Sequence, residues 1–295
     1  MGLLDDSPDK IGQTLEGYLI LGGADDLMLI IREQKVTDLV FAISGDMNPK
    51  MFSALLEAAE SGIQITTMPT LYEEMLGRVP IFLLQSDWVL RSLVDQARMG
   101  GLSDVLIRFM DIAGALVGVF IMLMVTPLIA LLTLLDSGWP IFYGQERLGR
   151  NGKPYRIIKF RSMRQDAEKD GRARPATEHD ERVTRVGRFL RKSHLDELPQ
   201  FINVLRGDMS LVGPRAERPE LVLMLQEKIP FYRARLFVRP GVTGWAQVNY
   251  GYASNAEQNA VKLEYDLYYI KHRSLWLDIS ILLRTIGSVI GLKGR

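Results

Sequence analysis

Residues 112–135 contain no charged side chain, and no other feature of the chain constrains its fold as much. At about 1.5 Å rise per residue, a helix of this length covers a hydrocarbon core of about 30 Å. Two features argue against a simple crossing. Thr126-Pro127 lies a little past the middle of the run, where proline removes a backbone hydrogen bond and bends a helix. Cations also flank the run on both sides: Arg91, Arg98 and Arg108 precede it, and Arg147, Arg150, Lys153 and Arg156 follow it. A crossing helix separates a cation-rich flank from a cation-poor one. The pattern therefore predicts a helix–break–helix over 104–136 that enters and leaves by one leaflet, with Trp139 and Tyr143 at the interface. A spanning helix and a kinked core helix are the alternatives.

The rest of the composition bounds the partners. The chain has 295 residues, 36 basic and 35 acidic, enough for one large or two ordinary domains. That balance argues against nucleic acid. Locally it fails: between Arg147 and Arg174 stand ten Lys or Arg against Asp166, Glu168 and Asp170. Such a stretch suits anionic lipid head groups or phosphorylated substrates, or is simply a solvated loop. The absence of cysteine excludes disulfides and thiolate chemistry. His179, His194 and His272 show no metal-ligand spacing, which argues against zinc. The acidic start, Met1 to Asp6, lacks the basic and apolar regions of a secretory signal.

Residues 17–69 alternate between strand and helix patterns. Tyr18–Leu21, Leu39–Ile43 and Ile63–Thr67 are compact apolar runs, and Asp25–Gln34 and Pro49–Glu60 have helical spacing. Alternation of this kind indicates βαβ units and a parallel sheet. No G-x-G-x-x-G follows a first strand, so the region lacks the turn a nucleotide site needs. It is expected to carry no cofactor and to serve packing, regulation or self-association.

The second half carries the candidate chemistry. In Tyr155–Met163, Lys159 and Arg161 would share one face of a strand and could hold a diphosphate. Arg182–Lys192 reads as a basic amphipathic helix suited to an anionic surface. Asp196-Glu197 stands at or near a helix start, with Ser193 as a capping partner or Pro199 as the first helical residue. Gly207-Asp208, Gly213-Pro214-Arg215 and Arg239-Pro240-Gly241 are turns, and Arg239 either reaches a phosphate or is plain turn chemistry. Leu275–Ile290 is expected to lie in the membrane plane, with Trp276 as an anchor.

Asp-Glu-Leu-Pro-Gln, Gly-Asp-Met-Ser-Leu-Val-Gly-Pro-Arg, Lys-Phe-Arg-Ser-Met and the block Arg239–Asn249 occur together. In combination they closely resemble the bacterial sugar transferases, the monotopic polyprenyl-phosphate phosphoglycosyl transferases, from about Phe109 to Leu292. The resemblance implies an α/β chain: a truncated Rossmann-like, CoA-binding-type domain over 1–98, a re-entrant membrane helix broken at Thr126-Pro127, and a small α+β membrane-associated catalytic domain over 137–295. It implies transfer of a sugar 1-phosphate from a UDP-sugar to undecaprenyl phosphate, with release of UMP, at the start of exopolysaccharide synthesis. Asp196 would be the nucleophile. Glu197 would bind Mg²⁺ with Asp196 or orient it, Asp208 would support the metal, and Lys159, Arg161, Arg191, Arg215 and Arg239 would hold phosphates. The implied place is the cytoplasmic face of the bacterial inner membrane, among its lipids. Self-association, the sugar, and Tyr250 to Tyr252 as specificity residues stay open.

Two departures from the pattern matter. The family's Gly-Pro-Arg-Pro ends here in Ala216, which should loosen the turn. The membrane helices that precede this region in larger members are not in the sequence. They motivate a second reading, a catalytically weak membrane scaffold; a nucleotide-sugar hydrolase is a third.

Overall fold

The computed structural model describes residues 2–42, 47–83, 101–167, 180–251, 253 and 255–290. Arg91, Arg98, Glu168, Asp170, Arg174, His179 and Tyr252 therefore lie outside the described residues. The chain divides into two compact units, 1–83 and 84–295.

In the first unit, β1 (Leu3–Leu4), β2 (Thr14–Leu15) and β3 (Tyr18–Gly22) form a sheet in the order β1-β3-β2, parallel then antiparallel. Glu16 and Gly17, both at positive φ, make the two-residue turn whose twist matches a hairpin. Then come α1 (Leu27–Gln34), β4 (Asp38–Phe41), α2 (Pro49–Glu60), β5 (Gln64–Thr67) and α3 (Met68–Leu76). Asn48 caps α2 by accepting from the Lys50 amide, with Pro49 as first helical residue, a combination that starts helices. Strands β4 and β5 pair in parallel across α2, and Leu27, Ile31, Met51 and Ala58 form the core. The expected βαβ unit is present. Among the described residues its strands lie in two small sheets, not in one open Rossmann-type sheet.

The second unit begins with α4 (Leu102–Ser137) and the antiparallel hairpin β6 (Phe142–Leu148) and β7 (Pro154–Phe160). It continues with α5 (Arg185–Lys192), a 3₁₀ turn (Leu195–Glu197), α6 (Gln200–Arg206), β8 (Ser210–Val212) and α7 (Pro219–Gln226). A 3₁₀ stretch (Tyr232–Phe237) leads to β9 (Gly241–Thr243), α8 (Trp245–Asn249), α9 (Ala256–Lys271) and α10 (Leu275–Ile290). Strand β9 pairs in parallel with β8.

Helix α4 is long and apolar enough to cross a membrane, and only 22% of its most apolar stretch is buried. Yet it is fastened to the same unit near both ends. At the start, Arg108 donates to the carbonyls of Val204 (2.8 Å) and Leu205 (3.0 Å). Asp111 accepts from the Ser210 hydroxyl and the Leu211 amide, each at 2.8 Å. At the far end, Asp136 accepts from the Val186 amide at 2.9 Å and so meets the start of α5. Between these points Gly118 lies so close to the Phe201 ring that a Cβ there would overlap it.

The expected break at Thr126-Pro127 is not a break: α4 is one continuous helix through both residues. The physical reason is packing on either side. Met122 before the proline and Ile129 after it belong to one buried cluster with Ile141, Phe160 and Leu190. Thr126 also donates its hydroxyl to the Met122 carbonyl at 2.6 Å, next to the Leu123 carbonyl that Pro127 leaves without an amide donor. One other expectation is corrected nearby. Helix α5 begins at Arg185, so Val183 lies outside it and instead bridges Met163. Leu190 and Val186 face the α4 cluster, although Phe189 is exposed. Helix α10 forms as expected, with Trp276 on the surface and Asp278 buried.

Candidate active site

The acid pair sits in a tight corner between α5 and α6. His194 adopts left-handed φ/ψ and turns the chain into the 3₁₀ segment Leu195–Glu197, and α6 starts only at Gln200. Ser193 does not cap this turn. Its hydroxyl donates back to the Phe189 carbonyl at 2.8 Å, because α5 ends there and leaves carbonyls unpaired.

Asp196 is buried, at 7% exposure, yet lines a broad cleft of ≈ 2980 Å³. Its carboxylate has no hydrogen-bond or ion-pair partner among the described residues. Burial raises its pKa, and the adjacent Glu197 charge adds to the effect. Glu197 behaves oppositely. Its Oε1 accepts from Lys159 at 2.6 Å and from Arg215 at 3.2 Å. Burial alone would push Glu197 up, but these two cations outweigh it and hold the carboxyl well below its usual range. Two adjacent carboxyls are thus driven apart, the usual mark of divided roles. Arg191, in the last turn of α5, donates its Nε–H to the Ser162 hydroxyl at 3.2 Å and lines the same cleft.

Asp196, Glu197, Lys159, Arg191 and Arg215 therefore converge. Arg239 and Asp208 do not join them, and Arg161 lines the same cleft but is engaged elsewhere. Strand β7 ends at Phe160, and Arg161, 6% exposed, turns to the C-terminus of α4. It donates to the Ser137 and Trp139 carbonyls at 3.0 Å and to the Gly138 carbonyl. A cation at a helix C-terminus satisfies orphan carbonyls and the helix dipole, so its fork is not free for a diphosphate. Arg239 lies among Arg108, Arg150, Arg273 and Asp111, toward the start of α4. Asp208 accepts from the Asn203 amide at 3.2 Å and is not on the cleft wall.

Sequence reasoning missed Asp111 and Asp136. Their signal was present: each is a lone acid at one edge of an apolar run, where an ionisable group needs a partner.

Glu217 lies behind Arg215. Its Oε1 accepts from Lys262 at 2.8 Å and stands 3.6 Å from Arg235. Burial pushes Glu217 up, but Lys262 and Arg235 outweigh it and hold the pKa down to about 2. A depressed folded-state pKa stabilises above the unfolded value, and the benefit disappears as pH falls through the folded one. The stability gap between wild type and Glu217→Gln should be fully open above about pH 4.5, the ordinary glutamate value, and close toward pH 2. Thermal unfolding across that range checks it.

Residues 102–291 match the family model for bacterial sugar transferases. One relative, the UDP-N-acetylgalactosamine-undecaprenyl-phosphate N-acetylgalactosaminephosphotransferase of Aeromonas hydrophila, is 47% identical over 183 residues, 62% of this chain and 43% of that protein. Two relatives carry the name UDP-glucose:undecaprenyl-phosphate glucose-1-phosphate transferase. That of Xanthomonas campestris is 33% identical over 96% of this chain and 59% of its own length. That of Escherichia coli is 42% identical over 64% of this chain and 41% of its own. The chain spans about half the length of the curated relatives it matches. With the family model covering well over half of it, the chain belongs to the bacterial sugar transferase family.

Proposed function

We propose that this protein transfers a sugar 1-phosphate from a UDP-sugar to undecaprenyl phosphate, and that Asp196 carries the phosphosugar between them. The observation that carries this reading is a buried carboxylate, unpartnered among the described residues, on the wall of a cleft that also bears Lys159, Arg191 and Arg215. In the first step a carboxylate oxygen attacks the β-phosphorus. The bond from that phosphorus to the bridging oxygen breaks, and UMP departs with the electron pair. In the second step an oxygen of the polyprenyl phosphate attacks the same phosphorus. The acyl-phosphate bond breaks, Asp196 returns as carboxylate, and polyprenyl-diphosphate-sugar remains. Splitting the transfer in this way replaces one difficult displacement by two easier ones. Lys159 and Arg215 hold Glu197 off Asp196 and supply positive charge where diphosphate oxygens gather.

The acid pair fits Mg²⁺. A hard cation of this kind takes one or two carboxylates together with substrate phosphates and water. Asp196 is unpartnered, and both bonds to Glu197 fall on Oε1, leaving Oε2 for a metal. Among the described residues no three His, Cys, Asp or Glu side chains come together, so the donor and water would complete the shell. When bound, Mg²⁺ would neutralise charge as two anions approach.

Membrane attachment without crossing is supported by the fastening of α4 near both ends to the unit that holds the cleft. A crossing helix would carry its ends to opposite faces. Leu116, Phe120, Leu123, Leu128, Leu131 and Leu135 are exposed along it, giving a side to immerse in one leaflet. Leu135, Asp136 and Ser137 at the end of α4 line the cleft, where a lipid-borne acceptor could reach it. We place the protein on the cytoplasmic face of the bacterial inner membrane.

The test is UMP release by detergent-solubilised protein from a panel of UDP-sugars. Release that requires undecaprenyl phosphate and Mg²⁺, and ceases on chelation, is the expected result. Free sugar phosphate formed without acceptor would mark a hydrolase, and no release with any donor would mark a scaffold. Either outcome overturns the reading.

A further inference from the structure

Four consecutive backbone carbonyls around Arg215 are each held by a donor from elsewhere in the chain. The Pro214 carbonyl accepts from the Gly241 amide at 2.9 Å, and the Glu217 carbonyl from the Leu148 amide at 3.1 Å. Between them, the Arg215 carbonyl accepts from Arg235 at 3.1 Å, and the Ala216 carbonyl from Arg147 at 3.1 Å. Two guanidinium groups thus grip the residues where the family pattern places a proline after the arginine and this chain has alanine.

Arg235 is the more buried of the two, with its side chain 3% exposed against 18% for Arg147. It donates to Asp266 Oδ2 and to the Tyr232 hydroxyl, each at 2.8 Å, and lies 3.6 Å from Glu217. An ion cluster this deep is poor value as packing, because desolvation consumes much of the attraction and apolar side chains fill such space as well. A planar fork adds something an apolar side chain cannot: several directed bonds from one rigid group. Here one Nη–H₂ joins the Asp266 carboxylate to the Arg215 carbonyl. The Arg215 side chain itself is 44% exposed and reaches Glu197. A backbone fixed in advance lowers the ordering cost when an anion binds.

We infer that Arg235 is a positioning residue: together with Arg147 it clamps the backbone at 215–216, in place of the missing proline, and so aims the Arg215 guanidinium at the acid pair and the donor's diphosphate. The inference rests on the proposed reading of the cleft. The expectation that Ala216 loosens the turn is accordingly replaced by one of a turn braced from outside.

A double-mutant cycle in the full chain in detergent tests it. Arg235→Lys keeps the charge facing Asp266 and Glu217 but cannot bridge Asp266 and the Arg215 carbonyl with one rigid group. It should fold, weaken binding of UDP in calorimetric titration by about tenfold, and lower UMP release similarly. In an Arg215→Ala background the same change should cost less than about twofold, because the group it aims is gone. Equal losses with and without Arg215 would overturn the inference and leave Arg235 a structural residue. Should Arg235→Lys fail to fold, Arg147→Gln, which releases the Ala216 carbonyl from a less buried site, runs the same cycle with the same expected and overturning outcomes. Wild type that binds UDP but releases no UMP would end the catalytic reading, while the UDP cycle would still decide the clamp.

Discussion

Asp196→Asn should reduce UMP release by about a thousandfold or more while leaving the protein folded and at least as stable as wild type. The first half follows from chemistry. An amide of the same shape has no anionic oxygen to attack phosphorus, and removing a covalent nucleophile costs several orders of magnitude in other enzymes. The second half follows from surroundings. Among the described residues Asp196 has no hydrogen-bond partner to lose, and its pKa is raised by burial and by the Glu197 charge. A raised folded-state pKa means that, above the ordinary carboxylate pKa, ionised Asp196 costs stability. A neutral side chain removes that cost. Glu197→Gln should do the reverse and lower the melting temperature, because it strips Lys159 and Arg215 of their shared partner. Mass spectrometry during turnover should find the phosphosugar on wild type and not on Asp196→Asn. Near-normal turnover by Asp196→Asn would sink the nucleophile assignment. A lowered melting temperature with lost activity would turn the residue into a structural one.

What the sequence made legible is what local rules govern. Helix α2 begins and ends where Asn48-Pro49 and Ser61-Gly62 place it, since capping chemistry is encoded within a few residues. The parallel β4–α2–β5 unit follows from alternating patterns. The acid pair, Lys159, Arg191 and Arg215 could be named in advance because the blocks that hold them resemble the family's motifs; turn and charge signals alone did not single them out. Arg161 could not be placed correctly. The alternation linking it to Lys159 holds only while the strand lasts, and β7 stops at Phe160. The carbonyls that claim Arg161 belong to the end of α4, more than twenty residues earlier. Pro127 has the same lesson in another form. The missing amide is visible in sequence, but the Met122 and Ile129 packing that carries the helix past it is not. Arg235 was invisible as well. Within Tyr232–Phe237 it looks like a surface arginine, and only the arrival of α9 with Lys262 and Asp266 encloses it. Long-range closure decides all three, and no window of local sequence contains it.

The second large effect is expected where the two glycine-bearing turns meet. Gly213 and Gly241 are not held by unusual backbone angles, since neither has positive φ among the described residues. Crowding is what excludes a side chain. Strands β8 and β9 are joined there by the Gly213 amide donating to the Thr243 carbonyl and the Gly241 amide to the Pro214 carbonyl, each at 2.9 Å. A Cβ on Gly213 would strike the Arg239 carbonyl oxygen, and one on Gly241 would strike the Gly213 nitrogen, the Thr243 oxygen and the Val212 carbonyl carbon. Those obstacles are backbone atoms in two hydrogen-bonded strands, so neither side can yield without breaking the joint. Alanine would gain roughly 0.4–1 kcal/mol by restricting the unfolded chain. Overpacking a rigid site costs more, so Gly241→Ala should lose about 2–4 kcal/mol net, and Gly213→Ala a similar amount. Gly287→Ala in α10 is the control. No atom stands within reach of its Cβ, and alanine should raise helix stability by up to about 1 kcal/mol. Thermal unfolding in detergent reads all three. Because Arg215 bridges Gly241 directly, strain at the joint should also displace the guanidinium, and Gly241→Ala should lose UMP release at temperatures where it is still folded. Wild-type melting and turnover in Gly241→Ala would mean that the joint yields, and that the position of Arg215 depends on something other than the meeting of these two turns.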